Sequence, residues 1–228
     1  MTVETTIIHD LPMHTVRRSI VSQMQNNVYL ITAKSSGAQI LIDAADDLPA
    51  INALLKEASA DVNTGAKASL KMIATTHQHW DHLRALPSLV AQSSAPTAAG
   101  TDDIAGIKTQ AGVSTDVSLH NGGTLAVDGI ELTTVHLRGH TPGSMAFILQ
   151  SGGSERSDTL IFSGDSLFPG GVGNTGEDKA RFTQLLDDVQ DRLFNKYPDD
   201  AIVLPGHGNA TTLGNERAAL PQWRERGW

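Results

Sequence analysis

Short apolar runs, each bounded by turn residues, recur along the first half of the chain. Residues 28–33 and 39–43 are rich in Ile, Leu, Val and Tyr and are separated by a turn at 35–37, and residues 70–75 form a third run. Runs of this length and composition are typical of buried strands. We therefore predict three strands, the third of which leads directly into a polar loop.

Two amphipathic segments accompany these strands. The apolar residues of the first segment fall on one helical face, at positions 48, 51, 54, 55 and 58. Asp46 or Asp47 can cap this helix, and Pro49 suits its first turn. The second segment has its apolar face at positions 83, 86, 89 and 90. We expect Pro87 to kink or end this second helix.

The second half of the chain repeats the pattern. Strands are predicted over residues 124–127, 130–136, 144–149, 159–162 and 201–204. A helix precedes the last strand, and Thr175 with Asp178 resembles a capping box at its start. Two runs of strands, each with helices, predict two sheets packed face to face with helices outside. Because no repeat or linker composition interrupts the sequence, we expect one domain over residues 1–228.

Composition narrows the range of functions. The chain has 228 residues, 39% of them hydrophobic, which is enough for one sizeable core. Its net charge of −8 argues against a nucleic-acid partner. The absence of cysteine excludes disulfides, thiolate nucleophiles and Cys-ligated zinc. Since no apolar stretch approaches the roughly 18 residues needed to cross a bilayer, we expect no membrane partner and a soluble, cytoplasmic protein.

The clearest chemical signal is the cluster His77-x-His79-x-Asp81-His82, which directly follows a predicted strand. Alternate side chains of an extended segment share a face, so His77 and His79 can converge on one ion. The turn after Trp80 directs Asp81 and His82 toward another. A polar loop in which Asp81 caps the next helix is the structural alternative. We favour metal ligands, because four such side chains in six positions are a rare coincidence.

Two further histidines and one aspartate follow other predicted strands. His140 lies in Gly-His-Thr-Pro-Gly and His207 in Pro-Gly-His-Gly, where glycine lets the backbone approach closely and proline stiffens the turn. Asp165 directly follows an apolar strand, and a carboxylate in that position can bridge two cations. Taken singly, each is more often a surface histidine or a turn cap. Together with the cluster, they predict one site for two metal ions.

These residues, in this order, resemble the ligand pattern of the metallo-β-lactamase superfamily from about Asn27 onward. The resemblance implies an α/β fold of the αββα sandwich type. It also implies one metal on His77, His79 and His140, a second on Asp81, His82 and His207, and Asp165 as the bridge between them. Within the superfamily, the segments TLIFSGDSLF and PGHGNATTLGNE are most similar to the compact bacterial branch of glyoxalase II, or hydroxyacylglutathione hydrolase.

The chain also departs from that branch. Residues 173–176 read Gly-Asn-Thr-Gly where the branch usually has Gly-Arg-Thr-Asp. Only 21 residues follow His207, so we expect this chain to lack the longer C-terminal extension that holds glutathione in the larger glyoxalases. The remaining candidates for binding substrate carboxylates are Arg84, Arg217, Arg224 and Arg226. Trp223 and Trp228 either form a substrate rim or pack the C-terminal segment. Asp43, at the end of a strand, either starts a turn or supports the metal loop.

The leading hypothesis is a hydrolase with two zinc ions, or with iron or manganese in their place, that cleaves a thioester of a small acyl-thiol. Two cations lower the pKa of a bound water from about 15.7 toward 7, and Asp81 is expected to orient the resulting hydroxide as the catalytic residue. A thiolate with a pKa of about 8.5 leaves without a general acid. The resemblance also implies an alternative enzyme, a persulfide dioxygenase, which is a branch of the same superfamily whose single iron lies on residues matching His77, His140 and Asp165. A lactonase, a β-lactamase and a non-catalytic metal-binding module rank lower, and the sequence leaves monomer and homodimer open.

Overall fold

The computed structural model describes residues 5–151 and 158–227 of the chain. Seven strands of this described part form the first sheet, in chain order from edge to edge. They are β1 (Thr5–Asp10), β2 (His14–Val21), β3 (Asn26–Ala33), β4 (Ala38–Ile42), β5 (Ser69–Thr75), β6 (Thr97–Gly100) and β7 (Val117–Leu119). Strands β1 to β4 pair antiparallel, and β4 to β7 pair parallel.

The second half supplies eight more strands within the described residues. They are β8 (Thr124–Val127), β9 (Ile130–His136), β10 (Met145–Ser151), β11 (Asp158–Gly164), β12 (Leu167–Phe168), β13 (Gly171–Val172), β14 (Ile202–Pro205) and β15 (Thr211–Thr212). Six of them form the second sheet, in the order β15-β14-β11-β10-β9-β8, while β12 pairs with β13. Only β11 and β14 run parallel in the second sheet of this described region.

Helices cover the outer face of each sheet. The described residues form α1 (Leu48–Glu57), α2 (Leu86–Ser93), α3 (Ile104–Ala111), α4 (Lys179–Val189), α5 (Leu213–Arg217) and α6 (Leu220–Arg226). One apolar cluster joins the first sheet to α1, α2 and α3, and another joins the second sheet to α4, α5 and α6. A third cluster, which includes Tyr29 and Phe162, fills the space between the sheets. The expected αββα sandwich is therefore confirmed.

Two expectations about helix boundaries are wrong. Pro87 neither kinks nor ends a helix, because α2 begins at Leu86 and Pro87 lies in its first turn, where the missing N–H costs no intrahelical bond. The capping box at Thr175 is not the start of α4. Asp178 caps α4 instead, and its side chain accepts hydrogen bonds from the backbone N–H groups of Ala180 and Arg181.

The sheet edges also differ from the sequence prediction. Strands β1, β2, β6 and β7 and helix α3 lie where no element was predicted. Strand β6 has the sequence Thr-Ala-Ala-Gly, whose small residues give almost no apolar signal although all of them are buried. No helix in the described part of the chain is long and apolar enough to span a membrane.

Candidate metal centre

The ends of four strands meet at one edge of the sandwich. His77 follows β5, His140 follows β9, Asp165 follows β11 and His207 follows β14. The two sheets are joined at this edge by hydrogen bonds, since the backbone N–H of Asn27 donates to the carbonyl of Gly206 over 2.8 Å. The sandwich thereby brings side chains from both halves of the chain to one place.

The structure brings all seven predicted ligands together in overlapping groups. In each group, one nitrogen or oxygen from every residue lies within 4.8 Å of the others. The groups are His77, His79 and His140, which we call cluster A; Asp81, His82 and His207, which we call cluster B; and His77, His82 and Asp165. The first two match the two ligand sets that the sequence resemblance implied.

Asp165 lies between the two clusters. Its Oδ2 is 3.7 Å from Nε2 of His140 in cluster A and 3.6 Å from Nε2 of His207 in cluster B. Its Oδ1 is 3.5 Å from Nε2 of His82. Within cluster A, Nε2 of His77 is 3.1 Å from Nδ1 of His79, and within cluster B, Nε2 of His82 is 3.2 Å from Nε2 of His207. This spacing leaves each group able to surround one cation.

Two of the donor atoms fit metal ions because the structure leaves them without protein partners among the described residues. Nε2 of His140 and Oδ1 of Asp165 are buried, and neither has a hydrogen-bond partner among the described residues. A buried polar atom left unpaired costs about 1–3 kcal/mol. A cation in cluster A would satisfy His140, and Asp165 lies within reach of a cation in either cluster.

Hydrogen bonds on the opposite ring nitrogens orient three of the imidazoles. Nδ1 of His140 faces the carbonyl of Asn174 over 2.7 Å, and Nδ1 of His207 faces the carbonyl of Met24 over 2.9 Å. Since a carbonyl only accepts, each Nδ1 carries a proton, and Nε2 is the nitrogen that each of these rings turns toward the centre. Nδ1 of His82 is 2.9 Å from Oδ2 of Asp43 and is held in the same way.

The electrostatics of the site also suit cations. Burial lowers the pKa values of His77, His79 and His140, so these imidazoles are neutral, as metal binding requires. Burial also acts to lower the pKa of His82, but the carboxylates of Asp43 and Asp165 outweigh it and raise that pKa to about 10. In the protein without metal, a proton on His82 therefore offsets the carboxylates. A divalent cation would take over that role.

The carboxylate of Asp81 stays ionised. Burial opposes ionisation, but the hydrogen bond from His207 and the charge of His82 hold the pKa of Asp81 well below its usual value. Nδ2 of Asn26 donates to Oδ2 of Asp81 over 3.0 Å, and Ser22 in turn donates to Asn26. Asn26 was not singled out in the sequence, and a lone asparagine at the start of a strand gives no signal for this role.

Asp43 supports the metal loop, which was one of its two interpretations. It directly follows β4 and has a left-handed backbone (φ 60°), and its carboxylate accepts hydrogen bonds from the backbone N–H and the hydroxyl of Thr76, each over 2.7 Å. The same carboxylate contacts His82. The apolar strand ending in Asp43 was the available signal.

Most of the peripheral candidates have other partners. Arg84 pairs with Asp46 and stacks on Trp80, with its guanidinium carbon 3.6 Å from the ring centre. Arg217 and Arg224 form ion pairs with Asp199 and Asp187, respectively. Trp223 is 2% exposed and packs against Phe194, so the substrate-rim interpretation of Trp223 is wrong. Trp228 lies outside the described residues.

A groove borders the centre on the side of cluster A. Its volume is about 990 Å³, and its lining includes residues 168–175, Lys179 and Arg226. Asn174 belongs to this lining and also binds His140 through its carbonyl. A methyl group on Gly173 would lie 1.7 Å from the carbonyl oxygen of Asp165, so only glycine fits there. The segment 173–176 therefore touches the centre through its backbone.

Comparison with known proteins places this geometry in a family. The model of the metallo-beta-lactamase superfamily matches residues 21–207, which contain both clusters. The hydroxyacylglutathione hydrolase GloC of Haemophilus influenzae is 36% identical over 100 residues, which cover 44% of this chain and 44% of that protein. The match thus spans less than half of that relative. The probable metallo-hydrolase YqgX of Bacillus subtilis is 26% identical over 219 residues, which cover 90% of this chain and 95% of that protein.

Two solved structures extend the comparison. The BLEG-1 B3 metallo-beta-lactamase superposes with a TM-score of 0.71 at 25% identity, covering 91% of this chain and 99% of that one. TTHA1623 in a di-iron-bound form superposes with a TM-score of 0.64 at 28% identity, covering 87% of this chain and 95% of that one. The family model, the αββα sandwich and the two clusters agree, and the chain belongs to the metallo-beta-lactamase superfamily.

Proposed function

We propose that this metallohydrolase holds two zinc ions and cleaves thioesters of small acyl-thiols. The observation that carries the proposal is the position of Asp165. Its carboxylate lies within 3.7 Å of imidazole nitrogens in both clusters. One of its oxygens is buried and has no hydrogen-bond partner among the described residues. The partial similarity to a hydroxyacylglutathione hydrolase supports the substrate class. The di-iron form of a structural relative supports the number of ions.

Cluster A would hold one ion and cluster B the other, with Asp165 reaching both. Nitrogen and carboxylate ligands of this kind are the usual ligands of zinc. When bound, two such ions supply a hydroxide at neutral pH and stabilise the oxyanion that forms on the substrate. The attacking water is oriented by side chains of the protein.

Asp81 is suited to orient the attacking water. Its carboxylate is ionised at neutral pH and is held in place by Asn26, so it accepts a hydrogen bond and does not act as a general acid. The water loses one proton to solvent, its oxygen forms a bond to the acyl carbon, and the carbon–sulfur bond breaks with its electron pair on sulfur, which gives a carboxylic acid and a thiolate. Because a thiol has a pKa of about 8.5, the thiolate leaves without a proton donor.

The test combines metal analysis with a panel of thioesters that vary in acyl and thiol halves. We expect about two zinc ions per chain and faster hydrolysis of thioesters than of matched amides. His79→Ala should lose one ion and most of the activity, since two ligands do not close a site. His14→Ala is the matched control, because Nε2 of His14 bonds to the carbonyl of Gly129, which lies in neither ligand loop. No bound metal after metal-replete expression would contradict the proposal.

A persulfide dioxygenase with one iron is the second candidate. His77, His140 and Asp165 supply two imidazoles and a carboxylate, which is the ligand set of non-haem iron enzymes. The distance of 3.7 Å between His140 and Asp165 is compatible with that set. One iron per chain together with oxygen consumption on a persulfide would favour it over the thioesterase.

A further inference from the structure

Asp103 is a buried carboxylate that belongs to neither cluster but bonds to two of the ligand loops. Its Oδ2 accepts hydrogen bonds from the backbone N–H of Gln78, over 2.9 Å, and from the hydroxyl of Thr141, over 2.5 Å. Its Oδ1 accepts a hydrogen bond from the backbone N–H of Gly143 over 2.8 Å. Gln78 lies between His77 and His79, and Thr141 follows His140.

Helix capping does not account for Asp103. The residue precedes α3 and occupies its N-cap position, where an aspartate usually accepts a hydrogen bond from the first turn of its own helix. The side chain of Asp103 makes no such bond. Its accessible surface is 0%, and burying a carboxylate is costly unless its oxygens are hydrogen-bonded. Its hydrogen bonds instead go to the two loops that carry cluster A.

Close packing around Asp103 depends on two glycines. A methyl group on Gly143 would lie 2.4 Å from the backbone nitrogen of Asp103, and one on Gly100 would lie 2.0 Å from the carbonyl oxygen of Gly143. Neither contact is compatible with a larger residue. The loop after His140 is therefore pressed directly against Asp103.

We propose that Asp103 is a positioning residue that fixes the His77–His79 loop against the His140 loop and so supports metal binding in cluster A selectively. The inference rests on the proposed two-metal centre. Cluster B has a different buried support, since the carboxylate of Asp43 contacts Nδ1 of His82. Asp43 also accepts hydrogen bonds from Thr76, next to His77, whereas the hydrogen bonds to Asp103 come from Gln78, Thr141 and Gly143. Loss of the Asp103 hydrogen bonds is therefore expected to weaken cluster A more than cluster B.

The experiment measures zinc affinity by competition with a chromophoric chelator in two backgrounds of the full chain. His207→Ala leaves cluster A complete, and His140→Ala leaves cluster B complete. Asp103→Asn should weaken zinc binding about 10-fold to 100-fold in the first background, which is the usual effect of removing a residue that orients metal ligands. In the second background the change should stay below about threefold. Comparing the change in zinc affinity between the two backgrounds measures the coupling of Asp103 to each site separately.

Asp116→Asn is the matched control. The carboxylate of Asp116 accepts hydrogen bonds from the backbone N–H and the hydroxyl of Thr97, but it contacts neither ligand loop. We expect zinc affinity to be unchanged in both backgrounds. Should Asp103→Asn fail to fold by circular dichroism, Thr141→Val removes one of the three bonds and should weaken the same site by a smaller factor.

The result that overturns this inference is an equal effect of Asp103→Asn in both backgrounds, or no effect in either, in a wild-type protein that binds two zinc ions. A wild-type protein that binds no zinc would overturn the proposed function instead. The two failures are therefore distinguishable in the same set of measurements.

Discussion

Replacing Gly206 with alanine would place a methyl group inside the candidate metal centre. That methyl carbon would lie 2.3 Å from Oδ1 of Asp165 and 2.7 Å from Cε1 of His82, whereas carbon contacts normally begin near about 3.5 Å. The backbone has no room to retreat, because the N–H of Gly206 donates to Gly164 over 2.9 Å and its carbonyl accepts from Asn27 over 2.8 Å. The two side chains must move instead.

The size of that movement sets the expected effect. The carboxylate of Asp165 must shift by about 1 Å, which is half of a zinc–oxygen bond of about 2.1 Å. A misplacement of about 1 Å in a catalytic site costs roughly 100-fold in rate. Overpacking should also lower the free energy of unfolding by about 1–3 kcal/mol. Gly206 does not have a positive φ, so backbone strain contributes nothing to the prediction.

The assay compares kcat/KM on a thioester, zinc per chain and urea unfolding for the wild type and Gly206→Ala. Gly65→Ala is the control, because a methyl group there would meet nothing within 4 Å and Gly65 has no positive φ. We expect the control to match the wild type in activity and metal content. A Gly206→Ala protein with two zinc ions and a rate within about threefold of wild type would refute the placement of Asp165 against Gly206.

Three further predictions concern stability, metal and substrate. Phe162→Ala, in the fully buried layer between the sheets, should lower the free energy of unfolding by about 3–5 kcal/mol in urea, and a loss below about 1 kcal/mol would contradict that packing. Zinc removal by a chelator should lower the melting temperature, since a ligand present at about 1,000 times its Kd adds about 4 kcal/mol, and an unchanged melting temperature would argue against resident ions. Arg84, Arg217 and Arg224 are already paired with aspartates. We therefore expect kcat/KM for a glutathione thioester to exceed kcat/KM for the same acyl group on a neutral thiol by less than about 100-fold. A larger preference would show that another part of the protein recognises the carrier.

Local sequence patterns were sufficient to predict many of the core elements. Strands β8 and β9 lie over the residues predicted for them, because alternation of apolar and polar residues along a hairpin is a local property. Asp46 and Asp47 were both predicted as possible caps of α1, and Asp47 is the residue that caps it. Pro87 and Thr175 were misread, since a proline fits either end of a helix pattern and a nearby aspartate competes for the cap.

The sequence by itself also determined the grouping of His77, His79, Asp81 and His82, since one short loop holds them in fixed relation to each other. Only the tertiary structure decided which distant groups join that loop. Asn26 meets His207 across 181 positions, and Asp103 meets Thr141 across 38, and no local pattern encodes either contact. The pairing of two sheets creates these contacts, because it brings together strand ends that are far apart in the chain. The same long-range packing buries Trp223 in the apolar cluster that joins the second sheet to α4, α5 and α6.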